Sequence, residues 1–201
     1  MRCSLSLLTP AAVLAAWVAA LAQTPAYNLG RTPGEEEIRA WDISVGPAGK
    51  ELPPGSGTAK EGATIYAQRC ARCHGPTGAD GMVYFDPNER PGPPLVGGQG
   101  TLTSLQPVKT VGSYWPFATT LWDYINRAMP RYEPGSLTAN EVYAVTALLL
   151  HRNGIIQESD VLDAKTLPKI QMPNRNGFLP APWPQPDLKL YRERCRLGTC
   201  P

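Results

Sequence analysis

The 201-residue sequence is short of net charge, at +2, and holds only two histidines, five cysteines and four methionines. So small a net charge does not argue for nucleic acid or an anionic membrane surface as a partner. With His74 and His151 as the full histidine complement, no distal His or Arg constellation is evident, and this argues against peroxidase chemistry. There is no internal repeat and no alternating strand pattern longer than a few residues, so neither a solenoid nor an extended β-sheet is indicated. No second C-x-x-C or H-x-x-x-H pair accompanies the first cysteine pair, and a structural zinc site commonly needs one. What the chain has in quantity is proline (22) and glycine (19), which predict long ordered loops and short helices within a globular composition that is 42% apolar.

The N-terminus reads as an export signal. Arg2 supplies a positive start, Leu5 to Leu21 is almost wholly apolar, and Ala20-Leu21-Ala22 forms a small-residue cleavage site before Gln23. A single N-terminal membrane anchor is the competing reading, though the run is short for a span. Cleavage would discard Cys3 and leave Cys70, Cys73, Cys195 and Cys200, an even number suited to an oxidising compartment such as the periplasm. The mature protein would then not span a membrane.

Four segments follow: 1–22 signal, 23–57 N-terminal arm, 58–154 central domain and 155–201 Pro-rich extension. Within the arm, Glu35 to Trp41 can form one or two helical turns, with the three glutamates solvated. Thr58 and Glu61 make a capping box that opens the first substantial helix, and Gly62 would permit close packing on another helix. Trp115-Pro116 predicts the start of a second helix running to about Ala128, with Leu121, Trp122, Tyr124 and Ile125 on its buried face and Pro130 as its stop. Thr138 and Glu141 cap a third helix, striped by Val142, Val145, Leu148 and Leu149 and closed by Asn153-Gly154.

The chemistry-bearing motif is Cys70-Ala71-Arg72-Cys73-His74, the C-x-x-C-H signature of covalent haem attachment. Two thiols two residues apart can add across the two vinyl groups of one haem, and the adjacent His74 then becomes the proximal iron ligand. Half a zinc site or a redox disulfide are the competing readings, and a thioredoxin-like βαβ context is missing. For the opposite side of the iron, Met129, Met172, Met82 and His151 are candidates. Met82 follows His74 too closely, and His151 ends a helix beside Arg152. Met129 and Met172 each precede a proline, and the residues alone leave the choice between them open.

CARCHG, then Gly92-Pro93-Pro94-Leu95-Val96-Gly97, then Arg127-Ala128-Met129-Pro130 and a C-terminal helix resemble the class I cytochromes c over about residues 58–154. The resemblance implies an all-α fold of three to four short helices around one covalent haem c, here with long Pro/Gly-rich extensions. It implies His74 and Met129 as iron ligands and the Pro93 carbonyl as acceptor for the His74 ring N–H. It also implies that Gly62 meets the last helix around Tyr143 to Ala147. Tyr114 and Trp115 would be placed near the haem propionates, with Lys109 and Arg127 as further candidates there. Longer stretches, among them KTVGSYWPFATTLWDYINRAMP and QMPNRNGF, are similar to the monohaem cytochrome subunits of molybdenum sulfite or sulfur dehydrogenases. That similarity implies a molybdenum-cofactor subunit as electron donor and another c-type cytochrome or a terminal oxidase as acceptor. It implies no catalytic residue in this chain, which carries no molybdenum-binding segment of its own. A haem enzyme or gas sensor with an open sixth position is the alternative. Cys195 and Cys200, around a short loop, suggest a local disulfide, with a bridge to a partner chain or two free thiols as the alternatives.

Overall fold

A computed structural model describes residues 29–80 and 92–178. The expected signal segment, Met82 and the Cys195–Cys200 pair lie outside the described residues. The chain divides between Ile43 and Ser44 into two units. In the first, helix α1 (Glu35–Trp41) has Glu37 reaching back to the Gly34 N–H at 3.0 Å and to Arg31 at 2.6 Å. None of its residues is buried, as expected of a solvated acidic turn.

The second unit carries the core. Strand β1 (Ser56–Thr58) leads into α2 (Ala59–Arg69) and the single turn α3 (Ala71–His74). Next among the described elements come α4 (Ala118–Ala128) and α5 (Ala139–Arg152), followed by β2 (Val161–Asp163) and a 3₁₀ turn at Leu167–Lys169. The architecture is that of an all-α class I cytochrome c fold, with one antiparallel pair that sets Gly57 opposite Leu162.

Both capping boxes form. Glu61 Oε2 accepts from the Thr58 N–H at 2.8 Å, and Glu141 Oε2 accepts from the Thr138 N–H at 2.7 Å. Each threonine hydroxyl accepts in return from its glutamate's N–H. Such a cap is worth about 0.5–2 kcal/mol, which matters for an 11-residue helix containing a glycine.

The main packing is α2 across α5, and glycine makes it possible. A Cβ on Gly62 would lie 2.6 Å from the Ala144 carbonyl carbon and 3.0 Å from Leu148 Cβ. Gly57 is equally close, since a Cβ there would sit 2.6 Å from Ala144 Cα. The core includes Trp122, Val142, Tyr143, Val145 and Leu150, joined by Val45 and Leu52 from before α2 and by Leu162, Leu167 and Met172 from after α5.

Two sequence expectations are corrected. Helix α4 begins at Ala118, because Phe117 is extended (φ −137°, ψ 134°), so Trp115 and Pro116 stand ahead of the helix. Tyr124 is 46% exposed at the edge of the expected buried face, whereas Leu121, Trp122 and Ile125 are buried. Among the described residues, no helix is long and apolar enough to cross a membrane.

Candidate functional site

The site starts from one tight turn. The Cys70 carbonyl accepts from the N–H of Cys73 at 3.1 Å and of His74 at 3.0 Å, so both thiols and the imidazole leave one helical turn. Gly75 ends it with φ 75°, and its carbonyl accepts from the Tyr66 hydroxyl at 3.0 Å. Burial, foremost, pushes the Tyr66 phenol up to about 12, so it keeps its proton across the physiological range.

The second wall is the loop from Gly92. The Gly92 N–H donates to the Cys73 carbonyl at 2.9 Å, and the Pro93 carbonyl lies 2.8 Å from His74 Nδ1. A carbonyl can only accept, so Nδ1 carries the proton and Nε2 keeps the lone pair that a metal requires. Burial lowers the His74 pKa, with the Pro93 bond pulling the other way, and the ring is held neutral. Gly92 has no room for a side chain, because a Cβ would stand 2.5 Å from His74 Cε1.

Between these walls and α4 and α5 lies a cavity of about 520 Å³, within the range typical of cofactor pockets, roughly 300–1,000 Å³. Cys70, Cys73, His74 and Pro93 line it on the turn and loop, and Trp115, Leu121, Ile125, Met129, Val145 and Leu149 are among the other residues of the lining. Met129 follows directly on α4, its N–H donating to the Ile125 carbonyl at 3.1 Å. Two thiols, a neutral imidazole and a thioether on one largely apolar cavity match the requirements of a covalently held, doubly ligated haem.

The competing readings of the cysteine pair find little support. Burial raises the Cys70 thiol to about 11, opposite to the depressed thiolate of redox and metal-binding pairs. Cys70 and Cys73 are not joined to each other. Among the described residues, no group of three or more His, Cys, Asp or Glu side chains could hold a metal ion.

Other expected residues are distributed differently. Met172 is 3% exposed within the core and does not line the cavity. His151 is half-buried, with Nδ1 3.3 Å from the Ile156 carbonyl, also away from the lining. Tyr114 lies outside the lining as well; its ring packs edge-on to Phe178 with centroids 5.1 Å apart. Trp115 does line the cavity and packs edge-on to Tyr124 at 5.6 Å. Lys109 is on the lining, with Nζ 5.0 Å from the Tyr114 ring centroid. Arg127 is not; it pairs with Asp123, which also accepts from the Val45 N–H at 2.7 Å. An Asp-to-Arg spacing of four on one helix was the available sign of that pair.

A family model for cytochrome c oxidase, cbb3-type, subunit III, matches residues 57–149. Among solved structures, the chain is similar to one in the crystal structure of the sulfane dehydrogenase SoxCD from Paracoccus pantotrophus. The two share 40% identity over 83% of this chain and 78% of that one, with a TM-score of 0.69. No curated protein matches.

Proposed function

Since the chain belongs to the class I cytochromes c, and so to a family of electron-transfer proteins that bind haem c covalently, we propose that it is an exported monohaem carrier serving a molybdenum sulfur dehydrogenase. The observation that carries the reading is the single cavity on which Cys70, Cys73, His74 and Met129 converge, with His74 Nδ1 held by Pro93. When bound, haem c supplies a one-electron iron couple. Cys70 and Cys73 would hold it through thioethers. His74 would offer the iron a neutral nitrogen oriented by Pro93, and Met129 would offer a thioether, which favours the reduced state. Because His74 and Met129 would both serve the iron, no position on it would be left for a small substrate. The apolar side chains of Val145, Leu149, Leu121 and Ile125 would keep water from the bound group, so that little solvent would reorganise when its charge changes.

The partner assignment draws on the 40% identity to a chain of a sulfane dehydrogenase. The donor is accordingly a molybdenum-cofactor subunit oxidising a sulfane or sulfite-type sulfur in the periplasm. The acceptor is another c-type cytochrome or a terminal oxidase. Oxidised protein mixed with the purified molybdenum subunit and its sulfur substrate should bleach to the reduced spectrum within turnover times. It should stay oxidised when either component is omitted. A protein that remained oxidised in the complete mixture would remove this partner.

A further inference from the structure

The end of α5 grips both loops that border His74. Arg152 Nη1 donates to the carbonyls of Pro76 and Thr77, each at 3.1 Å, in the segment just after His74. Asn153 takes the other loop. Its Nδ2 donates to the Leu95 carbonyl at 3.1 Å and the Leu149 carbonyl at 2.8 Å, while its Oδ1 accepts from the Gly97 N–H at 3.0 Å. Gln99 Nε2 adds a bond to the Asn153 carbonyl at 2.9 Å. Two carbonyls on one side of the amide and N–H groups on the other fix which way it points.

Ending the helix does not require this side chain to reach so far. Backbone bonds already close α5, from the Asn153 N–H to Leu149, from Gly154 to His151 and from Ile155 to Leu150. The bonds to Leu95 and Gly97 instead span more than fifty residues of sequence and fix the stretch that follows directly on Pro93. That stretch is held on its other side by the N–H groups of Leu95 and Val96, both donating to the Gly78 carbonyl.

We propose that Asn153 is a positioning residue for the iron-binding histidine: by fixing Leu95 and Gly97 it holds the Pro93 carbonyl on His74 Nδ1. The proposal rests on the reading of His74 as the haem ligand. A firm Nδ1–H to carbonyl bond raises the basicity of the opposite ring nitrogen, and a more basic ligand favours the oxidised iron. Loosening the clamp therefore raises the reduction potential.

The test compares wild type, Asn153→Asp and Gln99→Ala as matured haemoproteins, with Tyr143→Phe as a control. The control loses the hydroxyl bond from α5 to the Pro53 carbonyl and touches neither loop of the site. Asn153→Asp keeps the size but turns two donations to carbonyls into repulsions. The readouts are the potential and the exchange rate of the His74 ring N–H in the reduced protein, followed by NMR. Exchange should quicken about tenfold in Asn153→Asp and about two- to threefold in Gln99→Ala, as expected for local opening, and the potential should rise in the charge-neutral Gln99→Ala. Tyr143→Phe should lose stability without moving either readout. If Asn153→Asp fails to mature, Gln99→Ala decides: a change of the same sign supports the clamp, and none overturns it. Wild-type exchange in both variants, with a wild-type potential in Gln99→Ala, would reduce Asn153 to a helix terminator. A wild-type protein lacking covalent haem would instead remove the reading beneath the proposal.

Discussion

Replacing Gly62 with alanine probes the crossing on which the cavity is built. In an isolated helix the change would stabilise by about 1 kcal/mol, since glycine is the poorer helix former. Here the added Cβ would lie 2.6 Å from the Ala144 carbonyl carbon. That is about 1 Å short of an ordinary carbon–carbon separation. The obstructing atoms are backbone and cannot rotate away, so α2 must retreat and open gaps along its contact with α5. Overpacking of this kind costs typically 1–3 kcal/mol, and a rigid backbone obstacle places it near about 3. Net of the propensity gain, the loss is about 2 kcal/mol. Guanidinium unfolding of the matured protein, followed by far-ultraviolet circular dichroism, measures it, and exposed Lys60→Ala serves as the same-helix control. A Gly62→Ala protein as stable as wild type would refute the close crossing.

In the oxidised protein, Met129→Ala should abolish the weak near-infrared methionine-to-iron band and let the reduced form bind carbon monoxide quickly. Met172→Ala should keep the band and lose about 2–5 kcal/mol of stability, as expected for a buried methionine; the opposite pattern would reassign the ligand. Asp123 contributes to the acid limb. Burial alone would raise its pKa, but bonds from Arg127 and the Val45 N–H outweigh it and the pKa is lowered. A lowered carboxylate gives stability that is present in full above the unfolded pKa of about 3.9 and lost as pH falls through the folded value. Asp123→Ala, which orphans the Val45 N–H, should cost about 1–3 kcal/mol at pH 7. The difference from wild type should narrow below about pH 4, and a gap that widened with acidity would contradict the role.

Local chemistry was the legible part. Thr58 with Glu61 and Thr138 with Glu141 sit three residues apart, so each cap is complete in its own short stretch. Cys70 to His74 is equally local, which is why the attachment motif could be read directly. The His74–Pro93 bond spans 19 residues and came only through resemblance to a family. Strands β1 and β2 are three residues each and about a hundred residues apart in the chain, so neither carries a periodic signal of its own. Asn153 reads locally as a stop; its bonds to Leu95 and Gly97 become visible only once the loops have folded. Tyr124 fits the helical spacing of a buried face but stands at its edge, a distinction that periodicity does not make. Trp115-Pro116 gives a fair helix start, yet the extended Phe117 delays the first turn.

The most direct measurement is tandem mass spectrometry of protein matured in a host competent for cytochrome assembly, after extraction with acidified acetone. The account predicts one haem retained on the peptide containing Cys70 and Cys73, with neither thiol open to alkylation. Haem that washes out, or two cysteines that alkylate freely, would contradict it.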